Sequence, residues 1–278
     1  MSFLKLCQGD PLVSVLKDHF DASIARIPKS SIKPNLVLGY SNGKLNTLGQ
    51  LDSLFKEDLY NIPAVKVEEV TKELSGKRSG SMSSSFGIKI LEGFLKGFNI
   101  PSAGLAQMIT KADDIAYSFD RIRSQYIESL KLGAVLGGQE LNTANLSLKP
   151  FLTDSKNRLF VVVRTYQSKS FNIHFDQSFE SNLELNLKGL KGMMDLDNAS
   201  FNLKKKEEGG LGFEGSTYKT FAFQLVELEV DEDGLYIKEI VSDNDHKVLR
   251  ENNQIPITNL SDDPVMFDIE SDEQIPVS

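Results

Sequence analysis

The sequence predicts an α+β fold: a large twisted antiparallel β-sheet with a few helices packed on it and a short extended C-terminal segment. Three observations predict it. From residue 159 onward apolar positions alternate with period two, the pattern of strands that bury one face. Helical spacing shows in two stretches, 11–20 and 102–132. The last stretch, 243–278, alternates too, but it is too short to build a core of its own.

Asp10-Pro11 reads as a helix start, an N-cap acceptor followed by proline at the first helical position. Leu12, Val15, Leu16 and Phe20 then recur at helical spacing, so a short amphipathic helix ends near His19 or Phe20. Residues 24–39 carry two prolines and alternating apolar positions, which predicts extended chain with turns. Residues 65–74 begin as a strand, and 75–85 (SGKRSGSMSSS) have the composition of a loop. Phe86, Ile88 and Ile90 alternate, so 65–94 reads as a hairpin with a polar tip. Over 102–132 an apolar stripe from Leu105 to Leu130 predicts the longest helix, capped by Ser102 and ended by Gly133.

The C-terminal half reads as strands. RLFVVVRTY predicts a buried central strand. Phe171, Ile173 and Phe175 alternate, as do Leu183, Leu185 and Leu187, and 194–203 reads as a further strand. Lys204 to Gly210 has the composition of a turn. TYKTFAFQLVELEV predicts another long strand, and Asp231 to Gly234 turns into a last one over 235–241.

The composition excludes several classes. At 278 residues the chain fits one large domain or two small ones. A charged fraction of 25% is ordinary for a soluble protein. The pI near 5.1 leaves no basic field to attract nucleic acid. One cysteine, Cys7, rules out an internal disulfide and fits a cytosolic chain. No stretch approaches the roughly 18 to 20 apolar residues of a membrane helix. The first residues lack the long apolar core of a secretory signal.

Charge is concentrated at the C-terminus. Residues 243–278 hold nine acids and two bases, while the preceding 242 residues balance 30 acids against 29 bases. Within this acidic stretch Ile255, Ile257 and Leu260 are followed by Val265, Phe267 and Ile269 in strict alternation. An extended segment with one apolar face buries that face against the body. The division is therefore 1–242 for the body and 243–278 for a linker and a covering segment.

Catalytic and metal-binding patterns do not stand out. The chain has no phosphate-binding loop, zinc spacing, nucleophile elbow or HExxH. Gly209, Gly210 and Gly212 lie between strands and read as a turn. Cys7 with His19 or His174 lacks an oriented base and an oxyanion site. No catalytic residue, metal ligand or cofactor is expected.

Two features keep two readings each. Cys7 is either a small apolar residue tucked under the first helix or, beside Phe3, Leu4 and Leu6, an attachment site for an acyl chain. The alternating strands are either the half-buried sheet of a soluble domain or amphipathic hairpins able to form a membrane barrel. The hairpin stretches are 65–94 and 171–203.

The order of these features resembles the bacterial gasdermins across essentially the whole chain. A cysteine near the N-terminus precedes the helix DPLVSVLKDHF. The extended IKPNLVLG follows, then the central amphipathic stretch, then LFVVVRTYQSKSFNIHF, then FAFQLVELEVDEDG and a short tail. The resemblance implies a gasdermin-like N-terminal pore-forming fold held inactive by its C-terminal peptide. It also implies a non-enzymatic effector that is cytoplasmic when intact. A caspase-like or related protease would cut before the peptide. The freed body would then meet phospholipids of the inner membrane, assemble there as a homo-oligomeric β-barrel pore and kill the cell, which limits phage spread. The family's acylated N-terminal cysteine, commonly palmitoylated, maps onto Cys7.

Residues 242–254 (SDNDHKVLRENNQ) are polar and lie between the last strand and the apolar tail, where proteolysis concentrates. Leu249 and Arg250 are the favoured positions before the scissile bond. Cutting after Leu249 would remove seven acids and one base, a modest change of field screened over about 8 to 10 Å. Uncovering the body matters more. The alternative reading is an assembly protein whose tail docks on a neighbouring subunit, and a further one is an enzyme with an unrecognised site.

Overall fold

The computed structural model describes residues 11–41, 44–56, 62–70, 74–78, 93–94, 96, 115–137, 139–154, 156–175, 201–206, 210–231, 234–238, 266–267 and 269–270. In chain order the described elements are α1 (Pro11–Phe20), β1 (Ser23–Lys29), β2 (Leu36–Ser41), β3 (Lys44–Gln50), a 3-10 turn (Leu51–Leu54), β4 (Lys66–Glu69), β5 (Leu74–Arg78), β6 (Ile115–Asp120) and β7 (Arg123–Tyr126). Then come α2 (Ser129–Leu136), α3 (Lys149–Thr153), β8 (Arg158–Phe175), β9 (Phe201–Lys206), β10 (Gly210–Asp231), β11 (Gly234–Ile237), β12 (Met266–Phe267) and β13 (Ile269–Glu270). The thirteen strands form one sheet, so the α+β class with a large antiparallel sheet is what the chain adopts.

Two long strands are its spine. β8 has 18 residues and β10 has 22, and they pair antiparallel from Leu159 opposite Leu228 down to His174 opposite Gly210. The outer edge of β8 is covered in turn by β2, β7 and β6. The outer edge of β10 is covered in turn by β11, β1 and β9. β3 continues the sheet beyond β2, β4 beyond β7 and β5 beyond β6.

Alternation sorts the upper half of the spine into two cores. Leu159, Val161 and Val163 of β8 join Val37, Val226 and Leu228 under Leu132 and Leu136 of α2. Phe160 and Val162 point the other way, with Ala25, Leu36, Leu38, Leu45 and Phe223. The link from β1 to β2 is set by Asn35, whose φ of 69° is left-handed. Asparagine tolerates that conformation better than most residues. Its amide donates to the Pro63 carbonyl at 3.1 Å, and its backbone N–H donates to Val162 at 2.9 Å. Gly39 of β2 leaves room for the Phe151 ring of α3, since a Cβ there would collide with the ring.

The long helix expected over 102–132 is not formed over its described part. Residues 115–126 are β6 and β7, and the helix α2 begins only at Ser129. Ile115, Phe119 and Ile122 fit helical spacing while Ile115, Tyr117 and Phe119 fit alternation, and the strand wins because the odd positions 115–119 bury completely against the spine. Branched and aromatic side chains there suit a pleated surface. Two stretches expected to be loop or turn also pair. Ser75 to Arg78 belong to β5, and Lys204 to Lys206 to β9. The expected partners 86–90 and 183–187 lie outside the described residues.

Candidate functional site

The tail meets the sheet at both ends of its upper half. Met266 and Phe267 pair parallel with Ile24 and Ala25 of β1. Ile269 and Glu270 pair parallel with Leu45 and Asn46 of β3. Between them stands a single residue, Asp268. The path β12-β1-β10-β8-β2-β3-β13 therefore starts and ends in one short segment of chain. β1 and β3 are not paired with each other; the tail bridges them and closes the curl around the cluster of Ala25, Leu38, Leu45, Phe160, Val162 and Phe223.

Midway down the spine the sheet is disturbed at one level, by breaks between its outer strands and by a slip in the register of β8 and β10. β4 ends at Glu69 and β5 starts at Leu74. β6 and β7 are parted at Arg121, whose φ is +50°. The β8 to β10 register slips between Ser168 opposite Lys219 and Ser170 opposite Glu214. This crease is polar. Gln167 is its centre, accepting from Arg123 Nε at 2.9 Å and donating to Thr220 Oγ1 at 3.1 Å and Gln125 Oε1 at 3.2 Å. Thr220 in turn donates to the Ile32 carbonyl at 2.7 Å. Ser168 and Ser170 donate to the Asp120 carbonyl. Arg123 and Lys169 both lie over the Tyr218 ring, 3.5 and 4.8 Å from its centroid, each a cation on a π face. Arg121 pairs with Glu214 and Arg164 with Glu68 across the same band.

Below the crease five strands run in the order β5-β6-β8-β10-β9. Their two faces differ sharply in chemistry. Tyr117, Ile173 and Leu211 make one row and Phe119, Phe171 and Phe213 the next. Both rows are buried beneath Leu12 and Leu16 of α1 and the Phe94 ring. Phe94 packs edge-on against Tyr117, Phe119 and Phe171 at 5.1 to 5.9 Å. The alternate rows are Ala116, His174 and Gly210, then Ser118, Asn172 and Gly212, then Asp120, Ser170 and Glu214. This is an amphipathic sheet with an aromatic face and a small, polar one.

Of the expected site residues, Phe267 and Ile269 are placed in paired strands against the body. Cys7, Leu249, Arg250, Ile255, Ile257, Leu260 and Val265 lie outside the described residues. The polar crease was not anticipated. Its signal was the run Thr165 to Ser170 in the middle of an otherwise apolar strand. Among the described residues no group of His, Cys, Asp and Glu is placed to hold a metal. No described helix is long and apolar enough to cross a membrane, which says nothing of strands.

Comparison with known proteins agrees on one family. The sequence matches the profile of the Bacterial Gasdermin Family over residues 25–235. It is 26% identical over 223 residues to gasdermin bGSDM of a Desulfuromonadales bacterium, covering 80% of this chain and 82% of that one. It is 23% identical over 225 residues to gasdermin bGSDM of Vitiosangium sp., covering 81% and 83%. The fold is similar to the structure of a bacterial gasdermin from Bradyrhizobium tropiciagri, with a TM-score of 0.58 and 16% identity over 82% of this chain and 90% of that one. With the profile covering both spine strands and more than half of the chain, the chain belongs to the bacterial gasdermin family.

Proposed function

We propose that this chain is an autoinhibited, non-enzymatic pore-former. Its resting form is cytoplasmic, and removal of residues after the cut frees it to assemble in the inner membrane, with cell death and phage restriction as the outcome. The observation that carries this reading is the tail bridging β1 and β3. The tail is the only described segment paired with both edges, so losing it frees both edges at once.

The strength of the clasp suits a switch. The ladder comprises four register pairs. At about 1 kcal/mol net per backbone hydrogen bond, it is worth about 4 kcal/mol, an affinity of about 1 mM. A covalent tether supplies an effective concentration of that order, so on backbone pairing alone the tethered tail is docked about half of the time and a freed tail at cellular concentrations hardly at all. A cut between 242 and 254, with Leu249 or Arg250 before the scissile bond, removes the tether and lets the ladder dissociate. A caspase-like or related protease would make that cut.

Below the crease, the aromatic face suits lipid and the small polar face suits water. Strands crossing a bilayer must close on themselves so that no backbone group is left unpaired, and that requires many copies. An acyl chain on Cys7 would hold the body at the surface, at about 0.8 kcal/mol per buried CH₂.

The test is dye release from liposomes of bacterial-like lipid, with full-length protein carrying a specific protease site within 242–254. Uncut protein is expected to be silent and cut protein to leak. Silence after verified cleavage and loss of the tail would defeat the reading. Intact-mass analysis of protein made in cells, beside the toxicity of a Cys7→Ala variant, tests the lipid attachment.

A further inference from the structure

We propose that β9 is a second removable cover: on assembly it leaves the edge of β10, and that edge, Gly210 to Gly215, takes β5 of a second copy. The inference rests on the pore-forming reading and concerns a step after the tail is lost.

Strand direction carries the argument. In the lower half every joint is antiparallel, β5 to β6, β6 to β8, β8 to β10 and β10 to β9. Hence β5, β8 and β9 run one way, and β6 and β10 run the other. Among the described residues the outermost strands are β5 and β9, and they point in the same direction. Copies arranged about an axis normal to the membrane keep their direction. Joining β9 of one copy to β5 of the next would make a parallel joint in every repeat. Parallel pairs are less stable per residue, and membrane barrels are built from antiparallel strands in even number. Without β9 the unit is β5-β6-β8-β10. Its two edges run oppositely, and β10 of one copy meets β5 of the next antiparallel.

The same register shows why β9 is the strand to leave. It pairs with β10 at six positions, Phe201 opposite Gly215 through Lys206 opposite Gly210. Three of the six β10 positions are glycine, which offer no side chain for cross-strand packing. The β8 to β10 ladder, by contrast, has fourteen register pairs. β9 also ends in Lys204, Lys205 and Lys206, and lysines on an edge strand discourage pairing with another chain. It therefore both occupies the joining edge and presents a poor one in its place. β1 and β11 cover the same side of β10 above the crease, from Thr220 to Asp231, and need not move. The tail and β9 thus guard two different levels, and cutting the tail leaves the lower guard in place.

The test pins β9 to β10 with a disulfide, using Asn202→Cys with Glu214→Cys and, separately, Phe201→Cys with Gly215→Cys. These are adjacent register pairs, so one of them is the closely spaced kind. Each bridge is verified by peptide mass in the full-length, tail-cleavable protein. Oxidised, tail-cut protein is expected to lose dye release, down to the level of uncut protein, and to regain it on reduction. Equal release before and after reduction, in a pair whose bridge is verified, overturns the inference and leaves the pore-forming reading standing. Tail-cut wild type that never leaks overturns both.

Discussion

Ala25 and Leu45 belong to one buried cluster, although their strands are not paired with each other; each is opposite a residue of the tail, Phe267 and Ile269. The core between β1 and β3 is therefore closed by a segment more than two hundred residues away in the chain. This long-range closure is held by backbone pairing, so backbone changes in the tail test it most directly.

Phe267→Pro removes a tail N–H and disfavours strand pairing. Amide hydrogen exchange of the uncut variant is expected to be faster at one residue of each pair, Ile24 or Ala25 and Leu45 or Asn46, the one whose N–H points to the tail rather than to β10 or β2, with the β8 to β10 ladder still protected. Unchanged protection at those four positions would contradict the closure.

Gln167→Met keeps the volume of a fully buried side chain and removes its hydrogen bonds to Arg123, Gln125 and Thr220. Leaving buried partners unsatisfied costs about 1–3 kcal/mol. The urea unfolding midpoint is expected to fall with an unchanged slope. A midpoint equal to that of wild type would mean the crease network contributes nothing to the resting fold.

Phe171→Ala empties the ring box made with Phe94, Tyr117 and Phe119. Its cost is about 3–5 kcal/mol. His174→Ala, on the opposite, half-buried face of the same strand, is expected to cost much less. Equal losses for the two would argue that the faces do not differ in packing.

Glu128 is bonded to Lys131 of α2 and to Lys66 of β4, and the two ammonium groups draw its carboxyl from 4.5 down to about 2. A carboxyl whose folded pKa is lowered stabilises the fold above its unfolded pKa and ceases to as the pH falls through the folded one. Glu128→Gln is therefore expected to lower the melting temperature slightly at neutral pH. Its difference from wild type should disappear as the pH falls from about 4.5 to about 2. A gap that persists at the acid end would assign it to something other than this ion pair.

α1 was legible because Asp10-Pro11 and the Leu12, Leu16, Phe20 stripe are local signals, and the helix runs Pro11–Phe20. β8 and β10 were legible for the same kind of reason, though each extends further than its apolar run. The stretch 115–126 reads as helix because Ile115, Phe119 and Ile122 fit helical spacing, although Ile115, Tyr117 and Phe119 also fit alternation. Only the spine strand beside it, with Phe171 and Ile173 facing Phe119 and Tyr117, decides between them. Lys204 to Lys206 read as a turn from the composition of KKKEEGG, but an edge strand such as β9 tolerates the lysines.

By itself, the sequence determined that the chain is mostly alternating strands, that its charge is gathered at the C-terminus, and that the tail carries a face to bury. Only the tertiary structure decided what the tail pairs with, which strands share an edge, and where the spine is creased. The reason is physical. Alternation is a property of neighbouring side chains and can be read along the chain. Pairing is made by backbone N–H and C=O groups that are nearly the same at every residue, so partners are chosen by which edges the curled sheet brings within reach.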